Sequence, residues 1–543
     1  MMCDSQPFPD DPPASGKLRM AVVTLGLAAL ALLCANAFTM AICEDEANGF
    51  YLSKKPVGEI VDLMLANTHE DPPLSDLILH FWIRVAGYHA GLLRCLPMMF
   101  WLAMIPALFL LARQLAGQRG AWFALAALFL MPYHWTIPAV FRWYSLYACL
   151  AVWNFYSFLR LQRCVRGKSN GWKARLSWAV PYVATGACLW YTNYSAPVFF
   201  FTHLLVAASR APRRRQVLID LVLCWSVILL LYTPWIPTLL RQMDTSIRDV
   251  PVAYTGFSLY NLFAGELSTP FDFWISVPAA MGCVLLIVLV LTQFRRCWIP
   301  AVACAVALGA LLQTGAIGPK RMLIVSPLVA VTWGAAMSNG TDRRRWLRMA
   351  RAGLIATAVM VASGSLANMV RREGWGAYRW LDPTRAVAWR LQSRSPKSPI
   401  ISNSNPVFFY LKDEYGKNHC RGPQEEDGQY QPKAILFPLR ANYQPLCRDV
   451  LERAKEAVWV YHSPYHGPIS KWYDTMVRQM QQFGFRVLGT EPLLRPSSRF
   501  IEFHPKFRDR SADPLDEYRV VLVYFVKSEP NLERDRRISR RPR

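Results

Sequence analysis

Along the first two thirds of the chain, apolar residues do not alternate with polar ones. They run together in stretches of about twenty, the length a helix needs to cross a hydrocarbon core. The pattern predicts about eleven such spans, near 18–42, 95–113, 121–139, 143–161, 175–191, 195–209, 216–234, 273–293, 298–315, 322–338 and 349–368. The first two are separated by a long polar connection over 43–94, broken by a shorter apolar stretch from Pro72 to His89. That stretch carries Asp76, His80 and Arg84, so it predicts a helix lying in the membrane interface rather than crossing it. After residue 368 the pattern changes. Short strand-like runs at 399–401, 434–437, 457–461, 485–488, 499–503 and 518–526 are interspersed with helix-like stretches at 384–392, 447–456 and 471–482. Such a mixture predicts a soluble α/β domain. The expected organisation is a short tail over 1–17, an α-helical polytopic membrane domain over 18–368, an α/β domain over 369–530, and a charged, disordered end over 531–543.

Composition agrees with a membrane body. Hydrophobic residues make up 53% and charged ones only 18%, against roughly 25% charged in soluble proteins. This excludes disorder for most of the chain. The net charge of +24 would suggest nucleic acid on a soluble protein. Here the basic residues sit in alternate loops (Arg113 and Arg119, Arg160 to Arg175, Arg213 to Arg215, Arg295 and Arg296, Arg343 to Arg351), and the acids sit in the opposite ones. The positive-inside rule explains that distribution, so no nucleic-acid partner is expected. It places the amino terminus in the cytoplasm, and an odd number of spans places the region after 368 outside. The first run follows Lys17 and Arg19 and is long enough to be an uncleaved helix. Of the 13 cysteines, most lie in apolar runs and act as small hydrophobes. Cys420 and Cys447 are in the polar region and could pair in an oxidising compartment.

Three features carry candidate chemistry. The first outer loop opens with Glu44-Asp45-Glu46 directly after the first span, and His69-Glu70-Asp71-Pro72-Pro73 precedes the interfacial helix. Carboxylates at a membrane surface can act as general bases or hold a divalent cation, and Asp45, Glu70 and Asp71 are the candidates for both. Acid-rich solvated loops are the plainer alternative. Second, Arg142 and Tyr144 lie in Phe141-Arg142-Trp143-Tyr144 at the outer end of the fourth predicted span, where a guanidinium fork suits phosphate oxygens. An interfacial anchor is the alternative. Third, Lys320-Arg321 precedes the tenth span on a side otherwise poor in cations; snorkelling is its alternative.

The order of these features resembles the GT-C superfamily of polytopic glycosyltransferases, especially bacterial relatives of the protein O-mannosyltransferase and aminoarabinose-transferase families. The pieces that carry it are Glu44-Asp45-Glu46, His69 to Leu74, Leu93-Arg94-Cys95-Leu96-Pro97, Phe141 to Leu146, Tyr191-Thr192-Asn193-Tyr194, Tyr232 to Pro237 and Lys320 to Pro327. The chain departs from the family pattern at Val140, Asn193 and Met322, and two acids separate His69 from Pro72. The resemblance implies transfer of a sugar from a polyprenyl-phosphate donor to a lipid, glycan or protein acceptor on the periplasmic side of a bacterial inner membrane, with inversion. It implies Asp45 and Glu46 as first-loop acids, Glu70 or Asp71 as a second acidic position, and Arg142 with Arg321 as phosphate ligands. No cofactor is implied beyond a possible divalent cation. A transporter or flippase of lipid-linked glycan, a non-catalytic binder, and a surface-polysaccharide polymerase or ligase are the competing readings. Against a transporter stand the lack of an internal repeat and the scarcity of ionisable groups at mid-span.

Overall fold

The computed structural model describes residues 14–66, 71–166, 172–209, 214–246, 252–265, 268, 272–313, 319–338, 344–371, 384, 387–388, 391, 399–402, 405–410, 451–462, 470–493 and 520–527. The chain divides into two compact units. The first takes residues 1–39, 52–87 and 91–377; the second takes 40–51, 88–90 and 378–543.

The first unit is helical. Its long helices are α1 (Gly16–Thr39), α5 (Ala90–Leu130), α6 (Tyr144–Arg166), α7 (Trp172–Trp190), α8 (Ala196–Ser209), α9 (Arg214–Tyr232), α12 (Phe273–Thr292), α13 (Phe294–Gln313), α14 (Ser326–Met337) and α15 (Arg345–Arg371). Short helices join them: α2 (Glu44–Ser53, mostly in the second unit), α3 (Val57–Leu65), α4 (Leu74–Ala86), α10 (Ile236–Ser246) and α11 (Val252–Ala264). α-Helix occupies all or part of every predicted span. Among the described residues five helical segments are long and apolar enough to cross a membrane on length and composition. Large apolar side chains face outward, with Leu230 72% and Trp274 85% exposed, which suits lipid rather than water as the surrounding solvent. α4 is thirteen residues long, too short to cross, with Asp76 and His80 buried on one face and Phe81 and Val85 exposed.

Two predicted spans differ from expectation. The stretches near 95–113 and 121–139 are one run of helix, broken only at Gly117, whose φ of 76° lies in the left-handed region. The helix then ends at Leu130, and residues 132–139 form two short 3-10 turns, Pro132–Trp135 and Ile137–Ala139. Pro132 and Pro138 lack the N–H that a continuing helix would use. Every residue from Met131 to Val140 is buried. Irregular backbone survives there because partners satisfy it: Asn36 donates to the Trp135 carbonyl at 2.7 Å, and Trp135 Nε1 donates to the Phe129 carbonyl at 2.9 Å. The predicted span near 322–338 likewise begins as a 3-10 turn, Pro319–Ile324, before α14.

α6 packs along α7, α12 along α15, and α13 along α14. α5 and α14 approach closely at Gly120 and Gly334. A Cβ built on Gly334 would lie 2.3 Å from the Gly120 carbonyl oxygen. Small residues let helix backbones meet in this way. Gly334→Val is therefore expected to lower stability by about 1–3 kcal/mol or more, since backbone must move to admit the side chain. Thermal unfolding in detergent reads this directly. Gly309→Ala on α13, where a Cβ meets nothing within 4 Å, is the control and leaves the midpoint unchanged or slightly raised.

Among the described residues the second unit holds a four-stranded sheet: β1 (Ile400–Ser402), β2 (Glu456–His462), β3 (Phe485–Leu493) and β4 (Val520–Lys527), in the order β1-β2-β4-β3. β1 and β2 run parallel; β4 pairs antiparallel with both β2 and β3, with a bulge between Val487 and Gly489. Alternation along β2 and β4 turns Trp459, Tyr461, Val521, Val523 and Phe525 to one face. The helix Ser470–Gln482 covers that face with Met476 and Met480. Residues 40–51 join this unit: the Ile42 N–H donates to the Tyr410 hydroxyl at 2.8 Å, and Phe50 meets Phe409 edge to face at 4.9 Å. The strands expected at 434–437 and 499–503, and Cys420 and Cys447, lie outside the described residues.

Candidate functional site

The two 3-10 turns deliver Arg142 to the start of α6, where its N–H donates to the Val140 carbonyl at 2.8 Å. Its guanidinium meets a carboxylate from the connection between α1 and α5. Arg142 Nη2 lies 2.6 Å from Asp71 Oδ2, and the two side chains are only 13% and 11% exposed. Two residues seventy-one positions apart, singled out for different reasons in sequence, thus form one ion pair. Asp71 is placed by Pro72-Pro73, which start α4, and by the Leu74 N–H, which donates to the Tyr191 carbonyl at 3.0 Å. That bond ties the acidic segment to the turn between α7 and α8. A guanidinium carries five N–H donors, so a carboxylate partner and a phosphate can share it.

The α7–α8 turn builds the next wall. The Ser195 N–H and Oγ–H both donate to Asn193 Oδ1, at 3.0 Å and 2.7 Å, and Ser195 Oγ lies 3.0 Å from the Tyr147 hydroxyl. Tyr147 is one turn into α6 from Trp143, and their rings meet edge to face at 5.7 Å. Trp235 Nε1 donates to the Tyr194 hydroxyl at 3.2 Å. Burial pushes the Tyr194 phenol up to about 12, the charge of Asp71 adds to the shift, and the Trp235 bond opposes it. Tyr194 is therefore neutral at any physiological pH. In the sequence, Asn193 and Tyr194 of this wall stand out only through the family resemblance. The signal is the Tyr191-Thr192-Asn193-Tyr194-Ser195 string, a run of hydroxyl side chains around one amide at a helix junction.

Lys320 and Arg321 lie half-buried on the 3-10 turn before α14. That turn packs against α6, α11 and the Ile137–Ala139 turn, and the Tyr133 hydroxyl donates to the Lys320 carbonyl at 2.9 Å. It is thereby attached to the same irregular segment that carries Arg142. Tyr144 is buried as the first residue of α6, its ring 4.5 Å from that of Trp143.

The acids on α2 belong to the second unit. Asp45 is half-buried in the first turn. Glu46 is fully buried, and its Oε2 accepts the Cys43 N–H at 2.9 Å. This is the return half of a capping box, in which an acid at the third helical position satisfies the N-cap N–H. That bond gives Glu46 a capping role in the structure. Glu46→Gln keeps an acceptor and is expected to keep near-normal stability and activity, whereas Glu46→Ala loses about 1 kcal/mol of stability. Thermal melts and turnover of the pair of variants separate a cap from a reacting acid. Glu70, with His69, lies outside the described residues.

Among the described residues no three His, Cys, Asp or Glu side chains converge as a metal site. Of the acids named for a divalent cation, Asp71 has a guanidinium as its close partner.

Solved structures share this architecture. ArnT from Cupriavidus metallidurans, bound to undecaprenyl phosphate, superposes with a TM-score of 0.54 at 13% identity, over 93% of this chain and 98% of that one. Its apo form gives 0.54 over 94% and 98%. The archaeal oligosaccharyltransferase AglB from Archaeoglobus fulgidus, in complex with an inhibitory peptide and a dolichol-phosphate, gives 0.50 at 11% identity, over 82% and 69%. The chain shares the fold of these membrane proteins. No protein-family model matches it, and no curated protein matches it in sequence. The likeness to ArnT runs along nearly the whole of both chains, although few residues are identical.

Proposed function

We propose that this GT-C chain is a membrane glycosyltransferase that moves a sugar from a polyprenyl-phosphate carrier to an acceptor hydroxyl on the periplasmic face of a bacterial inner membrane. The observation that carries the reading is the Asp71–Arg142 pair: a nearly buried guanidinium paired with a carboxylate at the start of a helix, beside a turn rich in hydroxyls. The undecaprenyl phosphate in ArnT and the dolichol-phosphate in AglB are long isoprenoid phosphates, and they support the same donor class here.

The chemistry assigns roles. The isoprenoid stays in lipid and the phosphate reaches Arg142, joined by Lys320 or Arg321 of the neighbouring turn. Asp45 takes the acceptor hydroxyl proton as that oxygen attacks the anomeric carbon. The bond from carbon to phosphate oxygen breaks, its electron pair leaves with the phosphate, and the cations stabilise the charge that develops. One displacement inverts the anomeric centre. Asp71 acts as counter-ion to Arg142 before donor binds, and Glu70 or Asp71 orients the acceptor.

Purified protein incubated with a panel of polyprenyl-phosphate sugars and with membrane lipid or glycan acceptors tests this. Release of free polyprenyl phosphate is expected with at least one donor; carrier transfer between leaflets without cleavage would instead mark a flippase. A topology reporter fused after residue 370 is expected to be active only outside, and cytoplasmic activity would overturn the assigned sidedness.

A further inference from the structure

The turn between α7 and α8 has a property that the phosphate chemistry leaves unused. Asn193, Tyr194 and Ser195 are half-buried, while Thr192 and Ala196 on either side are fully buried. The turn therefore offers these three side chains and little else. The Asn193 amide is fixed in direction: Oδ1 accepts both the Ser195 N–H and the Ser195 hydroxyl. With the oxygen engaged twice, the Nδ2 group points away from Ser195 and presents two N–H donors, for which no acceptor is recorded among the described residues. An amide held this way has already given up the rotamer freedom that binding would otherwise cost.

The turn also carries no formal charge. From Trp190 to Ser209 the sequence has no Asp, Glu, Lys or Arg. The charges brought next to it, Asp71 and Arg142, pair with each other. The Leu74–Tyr191 backbone bond and the response of Tyr194 to Asp71 place the turn beside that pair. A sugar on a carrier phosphate is joined to it through the anomeric oxygen, so its ring must lie within one ring's width of the phosphate.

From this we infer that Asn193 is a specificity-determining residue, and that the α7–α8 turn binds the donor sugar and selects an uncharged, polyhydroxylated one. The inference rests on the glycosyl-transfer reading and names its substrate class. Asn193 Nδ2 donates to a ring hydroxyl, and the Tyr194 ring and Ser195 bound the same subsite. Amino sugars and uronic acids find no counter-charge on this wall and are discriminated against.

The test compares wild type, Asn193→Asp and Asn193→Ala. Asn193→Asp keeps the shape, removes both donors and adds a negative charge. Two quantities are read: affinity for bare polyprenyl phosphate, and kcat/KM for carriers bearing a neutral hexose or an amino sugar. Bare carrier is expected to bind all three proteins within about twofold, which also shows that the variants are folded. Hexose transfer is expected to fall about tenfold or more in both variants, the worth of a hydrogen bond made by a pre-set donor. Asn193→Asp is expected to gain on the amino-sugar carrier relative to wild type. Unchanged hexose transfer in both variants, or a wild-type preference for a charged sugar, overturns the inference and leaves the glycosyltransferase reading standing. Wild-type protein that neither binds bare carrier nor cleaves any donor overturns both.

Discussion

Arg142→Ala is expected to lower kcat/KM for the polyprenyl-phosphate donor by about a hundred- to a thousandfold, the range for losing one positioned donor to a developing oxyanion. The same change strips Asp71 of its partner in a site where its side chain is 11% exposed. Leaving one member of a buried pair uncompensated costs about 3–5 kcal/mol, so the apparent melting temperature falls as well. Arg142→Lys separates the two effects. It keeps a positive charge for Asp71 but loses the planar fork, so stability recovers more than turnover does. Coupling gives a further check. In the Asp71→Asn, Arg142→Ala double variant the stability losses are expected to be clearly less than additive, because the second change removes a charge that the first has already orphaned. Strict additivity would mean that the two side chains do not pair in the folded protein.

Asp45→Asn is expected to reduce transfer by about two to four orders of magnitude, the contribution of a general base to a hydroxyl nucleophile. Donor binding is unaffected in this variant, since the asparagine removes basicity and not shape. Asp45 is half-buried in the first turn of α2, where carboxylates are favoured by the helix dipole, so a modest stability loss accompanies the change. Retained turnover in a folded Asp45→Asn protein removes Asp45 as the base.

The membrane body was legible because lipid imposes a simple grammar. A span must be about twenty apolar residues long, and charge in the loops reports sidedness. That grammar failed where the protein surrounds irregular backbone with itself. Pro132 and Pro138 were within an apolar run and read as helix, yet each starts a buried 3-10 turn that aims Arg142. The pairing of Asp71 with Arg142 was not legible either, since long-range side-chain partners leave no local period. The bond from the Cys43 N–H to Glu46, three residues on, was not foreseen either, because a cysteine is not one of the usual N-cap residues. In the second unit, strands at 400, 456, 485 and 520 were foreseeable from alternation. Their order was not, because it depends on which strand finds the middle of the sheet.

That middle strand is β4. It is the latest of the four to be synthesised, and it bonds both β2 and β3 along their length. Among the described residues, until it emerges from the ribosome β2 has only the three residues of β1 to pair with, and β3 has no neighbour within the sheet. Assembly of this sheet therefore waits for residue 520, long after the helices have been inserted. Chains interrupted shortly before that point would carry a finished membrane body and two unzipped strand edges, a form prone to aggregation and a ready target for quality-control proteases.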